Sequence, residues 1–209
     1  MAALMRPPDP AFGEDESIWV ARAREAVARA PLGHHTHWTA PDHARPTGPR
    51  AGDRVLVEGV RLRELGLAPT LFCGGGWYTD GEVGEACAEL GYVDCTPRAS
   101  RPPYLGAGQR WASLSEPAAV ELPSNRTLRA IPTTHSLGEL ARSLPTRELP
   151  SLVHVYFHDT DLLDQRRRLL LGLVLRLLTR RAVASDLDTL AALMSDEVPR
   201  VPWADVVRL

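Results

Sequence analysis

The sequence predicts an α/β protein with a mostly parallel sheet. Two observations carry that expectation. From residue 54 onward, short apolar stretches alternate with longer segments of helical spacing, the pattern of strands joined by crossover helices. Leu152–His158, a strand by its strict alternation, runs into Asp161–Arg181, a helix whose acids sit in the first turn and whose arginines sit at the end, as the helix dipole favours. Pattern alone leaves open whether the sheet is flat-edged or closed.

Taken in order, residues 1–14 are Pro-rich and read as a loose segment, and 15–209 as one domain, because 209 residues are too few for two ordinary ones. Asp15–Ala30 has helical spacing, with Ile18, Trp19, Ala23, Ala26 and Val27 on one side and Pro31 as its stop. The His-dense segment Leu32–Trp38 follows, then a Pro- and Gly-containing loop over 39–53. Arg54–Leu65 reads as a helix closed by Gly66, and Thr70–Cys73 as a strand running into Gly74-Gly75-Gly76. Thr79 and Glu82 have capping-box spacing for a helix to Leu90, with Gly91 as its end and Tyr92–Cys95 as the next strand. Residues 96–127 hold five Pro and read as an irregular excursion. Leu128–Ile131 is a further strand and Leu137–Leu144 a helix. Val183 centres a last short strand, and Ser185 and Asp188 have the spacing to cap a final helix to Met194.

Composition excludes several function classes. The net charge is −2, which gives no electrostatic case for nucleic acid or an anionic membrane as partner. All 24 basic residues are Arg, so Schiff-base chemistry and the phosphate-binding P-loop, which need Lys, are excluded. Cys73, Cys87 and Cys95 do not make a disulfide framework. Met1–Pro10 has no apolar signal-peptide core, and the longest apolar run, Leu169–Leu178, is too short to span a bilayer of ~30 Å. The expectation is a soluble, cytoplasmic protein; nothing in the sequence speaks to its oligomeric state.

Three clusters carry chemistry. In Gly33-His34-His35-Thr36-His37-Trp38, an extended backbone puts His35 and His37 on one face and His34, Thr36 and Trp38 on the other. Two imidazoles on one face suit a divalent ion such as zinc; a surface His patch is the plain alternative. In Val153–Asp159, Val153, Val155 and Phe157 form an apolar face, while His154, Tyr156 and His158 form a polar one. Such a strand lines a cavity or a barrel interior, and His158 lies at the carboxyl end, beside Asp159, where α/β folds place their sites. The alternative is a set of satisfied core histidines. In Phe72–Tyr78, the Gly-rich turn lets backbone approach a ligand, and Trp77 and Tyr78 can stack on a sugar ring, or the segment is a tight turn with two anchoring aromatics. Cys73 is a weaker candidate as a thiolate ligand and His135 as a site residue after a strand end; Cys87 and Cys95 read as packing.

These clusters, in this order, resemble the polysaccharide deacetylase family, the chitooligosaccharide-deacetylase-like carbohydrate esterases, over roughly residues 30–195. The resemblance implies an incomplete (β/α) barrel, a divalent metal held by an Asp and two His, a catalytic Asp and His, and removal of acetyl groups from N-acetylated sugars. It carries the metal-ligand role to His35 and His37, where His35-Thr36-His37 stands for the usual His-Ser/Thr-x-x-His and Thr39 occupies the place of the second His. It carries the acid's role to His158, through Val155–Leu162, and substrate contact to Trp77, Tyr78 and Tyr156. Phe72–Trp77 is similar to the motif after the third strand, with Cys73 where the family has Arg; Arg101-Pro102-Pro103-Tyr104 is an alternative match for that Arg motif. One departure is large. The family's first strand ends in paired Asp, whereas no apolar strand ending in Asp-Asp is visible here, and Asp9, Glu14, Asp15, Glu16 and Glu25 follow no strand in this reading. The sequence therefore predicts a deacetylase-like barrel without its first strand, whose activity and zinc content are in question, since loss of a general base typically removes about 10²–10⁴-fold of rate.

Two rivals stand beside that reading. One is a non-catalytic carbohydrate-binding or regulatory protein on the same scaffold. The other is an amidohydrolase-type metal hydrolase, in which His-x-His closes the first strand; the absence of Lys and the helix directly before His34 count against it.

Overall fold

The computed structural model describes residues 1–9, 13–38, 50–102, 105, 108, 110–144, 149–180, 183, 185–194 and 198–208. Thr39, His43 and the Pro103-Tyr104 half of the alternative Arg motif lie outside them. In chain order the elements are β1 (Ala3–Met5), α1 (Glu16–Val27), β2 (Leu32–Thr36), α2 (Ala51–Glu64), β3 (Leu71–Gly74), α3 (Gly81–Glu89), β4 (Val93–Asp94), β5 (Trp111–Ala112), β6 (Ala118–Glu121), β7 (Thr127–Ala130), β8 (His135–Ser136), α4 (Leu137–Ser143), β9 (Val155–Tyr156), α5 (Asp159–Leu163), α6 (Gln165–Thr179), α7 (Leu187–Leu193), β10 (Arg200–Pro202), α8 (Trp203–Val206) and β11 (Val207–Arg208). Two units divide the chain: Met1–Pro132 with Asp186–Leu209, and Thr133–Ser185.

The first unit is a mixed α/β structure with a mostly parallel central sheet. Its seven strands lie in the order β1-β2-β3-β4-β7-β6-β10. All neighbours are parallel except β6 and β7, which form an antiparallel hairpin. The middle strands read as continuous buried runs because both their faces are covered, as parallel sheets require; all four residues of β3 are buried. Helix α2 buries Ala51, Gly52, Val55, Gly59 and Leu62, a stripe at the helical period. It packs with α3 around Phe72, Val83, Cys87, Leu90 and Tyr92, in a core that also takes Val120 and Leu128 from the hairpin. A smaller cluster joins Ala23 of α1 to Leu32, Leu62 and Leu67.

The structure departs from the sequence expectations in several places. The segment read as loose contains β1, which pairs in parallel with β2 (Ala3 with Leu32, Met5 with His34). Three residues carry too little pattern to be seen, and the ladder supplies what propensity lacks. The excursion at 96–127 contains β5 and β6; β6 returns into β7 through a Pro123-Ser124-Asn125 turn in which Leu122 N–H donates to Arg126 O at 2.9 Å. Val183 is 96% exposed and in no strand among the described residues. The helix over 161–181 is two helices, because Asp164 takes an extended backbone and accepts hydrogen bonds from Arg166 N and Arg167 N to cap α6. Asp80, not Thr79, caps α3, and Asp186, not Ser185, caps α7.

The second unit has its own small core of Leu137, Leu140, Leu144 and Val174. Its strands β8 and β9 pair in parallel with each other, His135 opposite Val155. The strand expected over Leu152–His158 is thus short, and it belongs to a two-stranded sheet separate from the seven-stranded one. Among the described residues, no helix is long and apolar enough to cross a membrane.

Helices α2 and α3 touch so closely at Gly52 that a Cβ there would fall 2.4 Å from Glu82 O. The Glu82 oxygen is a backbone atom and the Cβ is fixed rigidly to its own backbone, so neither yields cheaply. Gly52→Ala gains helix propensity of at most ~1 kcal/mol but overpacks the contact at roughly 1–3 kcal/mol. The expected result is a lower urea midpoint with an unchanged denaturant slope.

Candidate functional site

The carboxyl ends of β1 to β4 place the chemistry-bearing residues of the first unit together, as parallel α/β sheets do. Strand β2 is central to this arrangement. His34 and Thr36 are fully buried and meet α2. His34 Nε2 lies 2.9 Å from Glu58 Oε2, and Thr36 Oγ1 donates to the same oxygen at 2.9 Å. Arg54 Nε donates to Glu58 Oε1 at 2.8 Å, and Arg54 Nη1 to Trp38 O at 3.1 Å. Burial pushes the Glu58 carboxyl up, but the hydrogen bond and charge of His34 and then those of Arg54 outweigh it and hold the group below the ordinary Glu value.

His35 and His37 meet on the other face. His35 Nδ1 donates to Cys73 O at 2.7 Å, which leaves the lone pair of the neutral ring on Nε2. That Nε2 lies 3.1 Å from His37 Nε2, with the ring planes at 78°. His37 Nε2–H donates to that lone pair, and the same spacing is close to the ~3.3 Å that separates two nitrogen ligands on one tetrahedral zinc. Among the described residues, no three His, Cys, Asp or Glu side chains group closely enough to hold a metal.

The Gly-rich turn after β3 packs onto this strand end. A Cβ on Gly75 would fall 2.6 Å from Thr36 O and 3.5 Å from His37 Cα, and Trp38 Nε1 donates to Gly75 O at 3.0 Å. Gly76 and Trp77 both have positive φ, 56° and 62°. Trp77 is buried, with the Arg98 guanidinium 4.8 Å from its ring centre. Tyr78 is half-buried; its Oη donates to Asp80 Oδ2 at 2.6 Å, and its ring meets Trp38 edge-on. Burial pushes the Cys73 thiol well up, so it stays protonated at neutral pH.

At the end of β4, Asp94 is 2% exposed. Its Oδ1 accepts from Thr96 N at 2.8 Å, and Thr96 Oγ1 accepts from Gly74 N at 2.9 Å. Burial pushes the Asp94 carboxyl up to about 6, against the opposing pull of Thr96.

Two carboxylates that sequence reasoning set aside stand after β1. Glu14 is gripped by Arg6 through both oxygens and accepts from Asp9 N at 2.7 Å. The Arg6 hydrogen bond, then that of Asp9, holds its carboxyl below the ordinary value, and the His37 ring adds to the effect. Asp9 Oδ2 lies 3.8 Å from Arg54 Nη2. The apolar triplet Ala3-Leu4-Met5 ahead of these acids was the available signal.

The remaining candidates belong to the second unit. His158 precedes α5, and its N–H donates to Asp161 Oδ2 at 3.1 Å; its ring meets Tyr156 edge-on at 5.8 Å. His135 Nδ1 lies 2.8 Å from Thr134 Oγ1, which donates to His154 O at 3.0 Å. Asp159 is exposed in the first turn of α5, and its Oδ1 accepts from Thr160 N at 2.8 Å.

No family model matches the sequence. No curated protein matches it either. Among solved structures, the crystal structure of 4-alpha-glucanotransferase from Thermococcus litoralis is similar at a TM-score of 0.44 and 12% identity, over 98% of this chain and 31% of that one. The chain therefore spans about a third of that protein's length, and a likeness so slight carries no argument about its activity.

The raised Asp94 group gives a pH signature. The folded protein holds this proton more tightly than the unfolded chain, so Asp94's contribution is fully present below pH ~4 and is lost as pH rises through about 6, by roughly 3 kcal/mol. Asp94→Asn should flatten the fall of unfolding free energy between pH 4 and 7, measured by urea titration at each pH. An unchanged slope would remove Asp94 as its cause.

Proposed function

We propose that this chain is a metal-dependent hydrolase of the polysaccharide deacetylase type, removing acetyl groups from N-acetylated sugars. The observation that carries the reading is the His35–His37 pair, with Nε2 atoms 3.1 Å apart and His35 held in the metal-ready tautomer by Cys73 O. The order of the motifs and their place at the carboxyl ends of parallel strands support it. So does β1, a strand at the position where the deacetylase-type barrel has its first.

His35 and His37 would hold the ion. When bound, a divalent ion supplies Lewis-acid polarisation of the acetyl carbonyl and a water of lowered pKa. The proton acceptor in this reading is Asp9. Glu14 has both oxygens committed to Arg6 and a depressed pKa, which make it a poor base. Of the two aromatics after β3, the half-buried Tyr78 would face sugar, while Trp77 is buried under Arg98 and anchors the turn. For the second unit, the motif resemblance assigns the acid's role to His158 and substrate contact to Tyr156.

A second reading has its own observation. No third ligand joins the His pair among the described residues, as a non-catalytic carbohydrate-binding protein on this scaffold would have it.

Zinc titration by calorimetry on metal-stripped protein, with acetate release from N-acetylated chitooligosaccharides, tests both. One zinc per chain is expected, abolished in His35→Ala and His37→Ala. Asp9→Asn is expected to keep the zinc and lose about 10²–10⁴-fold in kcat, and His158→Ala to lose rate without losing metal. Absence of zinc together with retained glycan binding would move the chain to the non-catalytic reading.

A further inference from the structure

We infer that Glu58 is a positioning residue for the His35–His37 pair, and that α2 acts through it as a clamp on the strand that carries the pair. The inference rests on the reading of that pair as a metal site. It also has a component that does not depend on metal.

The geometry is an alternation. Residues 34, 36 and 38 share one side of the chain, and all three are tied to two neighbouring side chains of α2. Glu58 takes His34 and Thr36 on one oxygen, 2.9 Å from each, and Arg54 on the other at 2.8 Å. Arg54 reaches on to Trp38 O at 3.1 Å. The chain is held by α2 at His34 and Thr36 within β2 and, just past its end, at the Trp38 carbonyl, so the two residues between these points, His35 and His37, have a fixed direction. On their own side, the Cys73 carbonyl fixes the His35 ring at 2.7 Å. The Glu58 side chain is only 15% exposed and that of His34 not at all, so breaking one contact leaves a buried charge or donor unpaired. Groups bonded directly behind metal-binding imidazoles typically change metal affinity about 10–100-fold; Cys73 O has that place for His35, and Glu58 acts one step further back, through the backbone between the two rings.

Glu58→Gln keeps the shape and an acceptor oxygen but removes the charge that anchors Arg54. Arg54→Met is the second variant. Its side chain is 33% exposed, so it remains informative if Glu58→Gln fails to fold. Arg61→Met, which breaks only exposed pairs of α2 with Glu16 and Glu64, is the control. Both test variants of the full chain are expected to weaken zinc about tenfold or more and to shift the visible bands of the cobalt-loaded protein, with far-UV circular dichroism and Tm close to wild type. In metal-free protein, nitrogen-15 spectra of the rings are expected to show His35 as a single Nδ1–H tautomer in the wild type and in Arg61→Met, and tautomer averaging in the test variants. If the wild type binds zinc, wild-type zinc affinity and cobalt bands in both variants overturn the clamp. If the wild type binds none, the metal reading fails by itself, and the ring spectra decide: averaging in the variants supports the clamp, and unchanged spectra overturn it.

Discussion

The register of β2 between its neighbours is the constraint from which the rest follows. One five-residue strand serves two incompatible environments because successive side chains point to opposite faces. On one face His34 and Thr36 enter a buried ionic network with Glu58 and Arg54. On the other His35 and His37 meet over the Cys73 carbonyl. A slip of one residue would exchange the faces, turning His35 toward α2 and taking His34 and Thr36 away from Glu58, which would keep only Arg54. A mostly buried carboxylate that loses two of its three hydrogen-bond partners is destabilised, so the network and the register enforce each other.

The glycines after β3 belong to the same constraint. Their sequence suggested a cradle for a ligand, yet the contacts at Gly74 and Gly75 are with this chain's own backbone: a Cβ on Gly74 would lie 2.3 Å from Tyr78 O, and one on Gly75 2.6 Å from Thr36 O. The turn can press against the end of β2 only because it has no side chains there. The open side chemistry of the first unit is thus concentrated on the imidazole pair and on the acids after β1. Asp94 and Cys73 are sealed among the elements that hold it.

Much of the local structure was legible. Helix α2 shows its period in Val55, Gly59 and Leu62, and the acids and arginines of Asp161–Arg181 marked a helix there. Asp164 was where legibility ended: the same residue reads as a helix interior by charge pattern and as a cap by hydrogen bonding, and the capping bonds prevailed. The face alternation of His34 through His37 follows from strand geometry alone. The acids after β1 were invisible because they matter only if Ala3–Met5 is a strand, and three residues become a strand only when β2 is there to pair with them.

Sequence by itself determined the alternation of strands and helices, the residue types available for chemistry, and which of them share a face. These are properties of period and composition, written along the chain at short range. Tertiary structure decided the rest: that β6 and β7 turn antiparallel, that β8 and β9 pair apart from the main sheet, and that Glu58, 24 positions from His34, closes the network beneath it. Such choices depend on contacts between distant segments, whose energies exist only once the chain has brought them within a few ångströms.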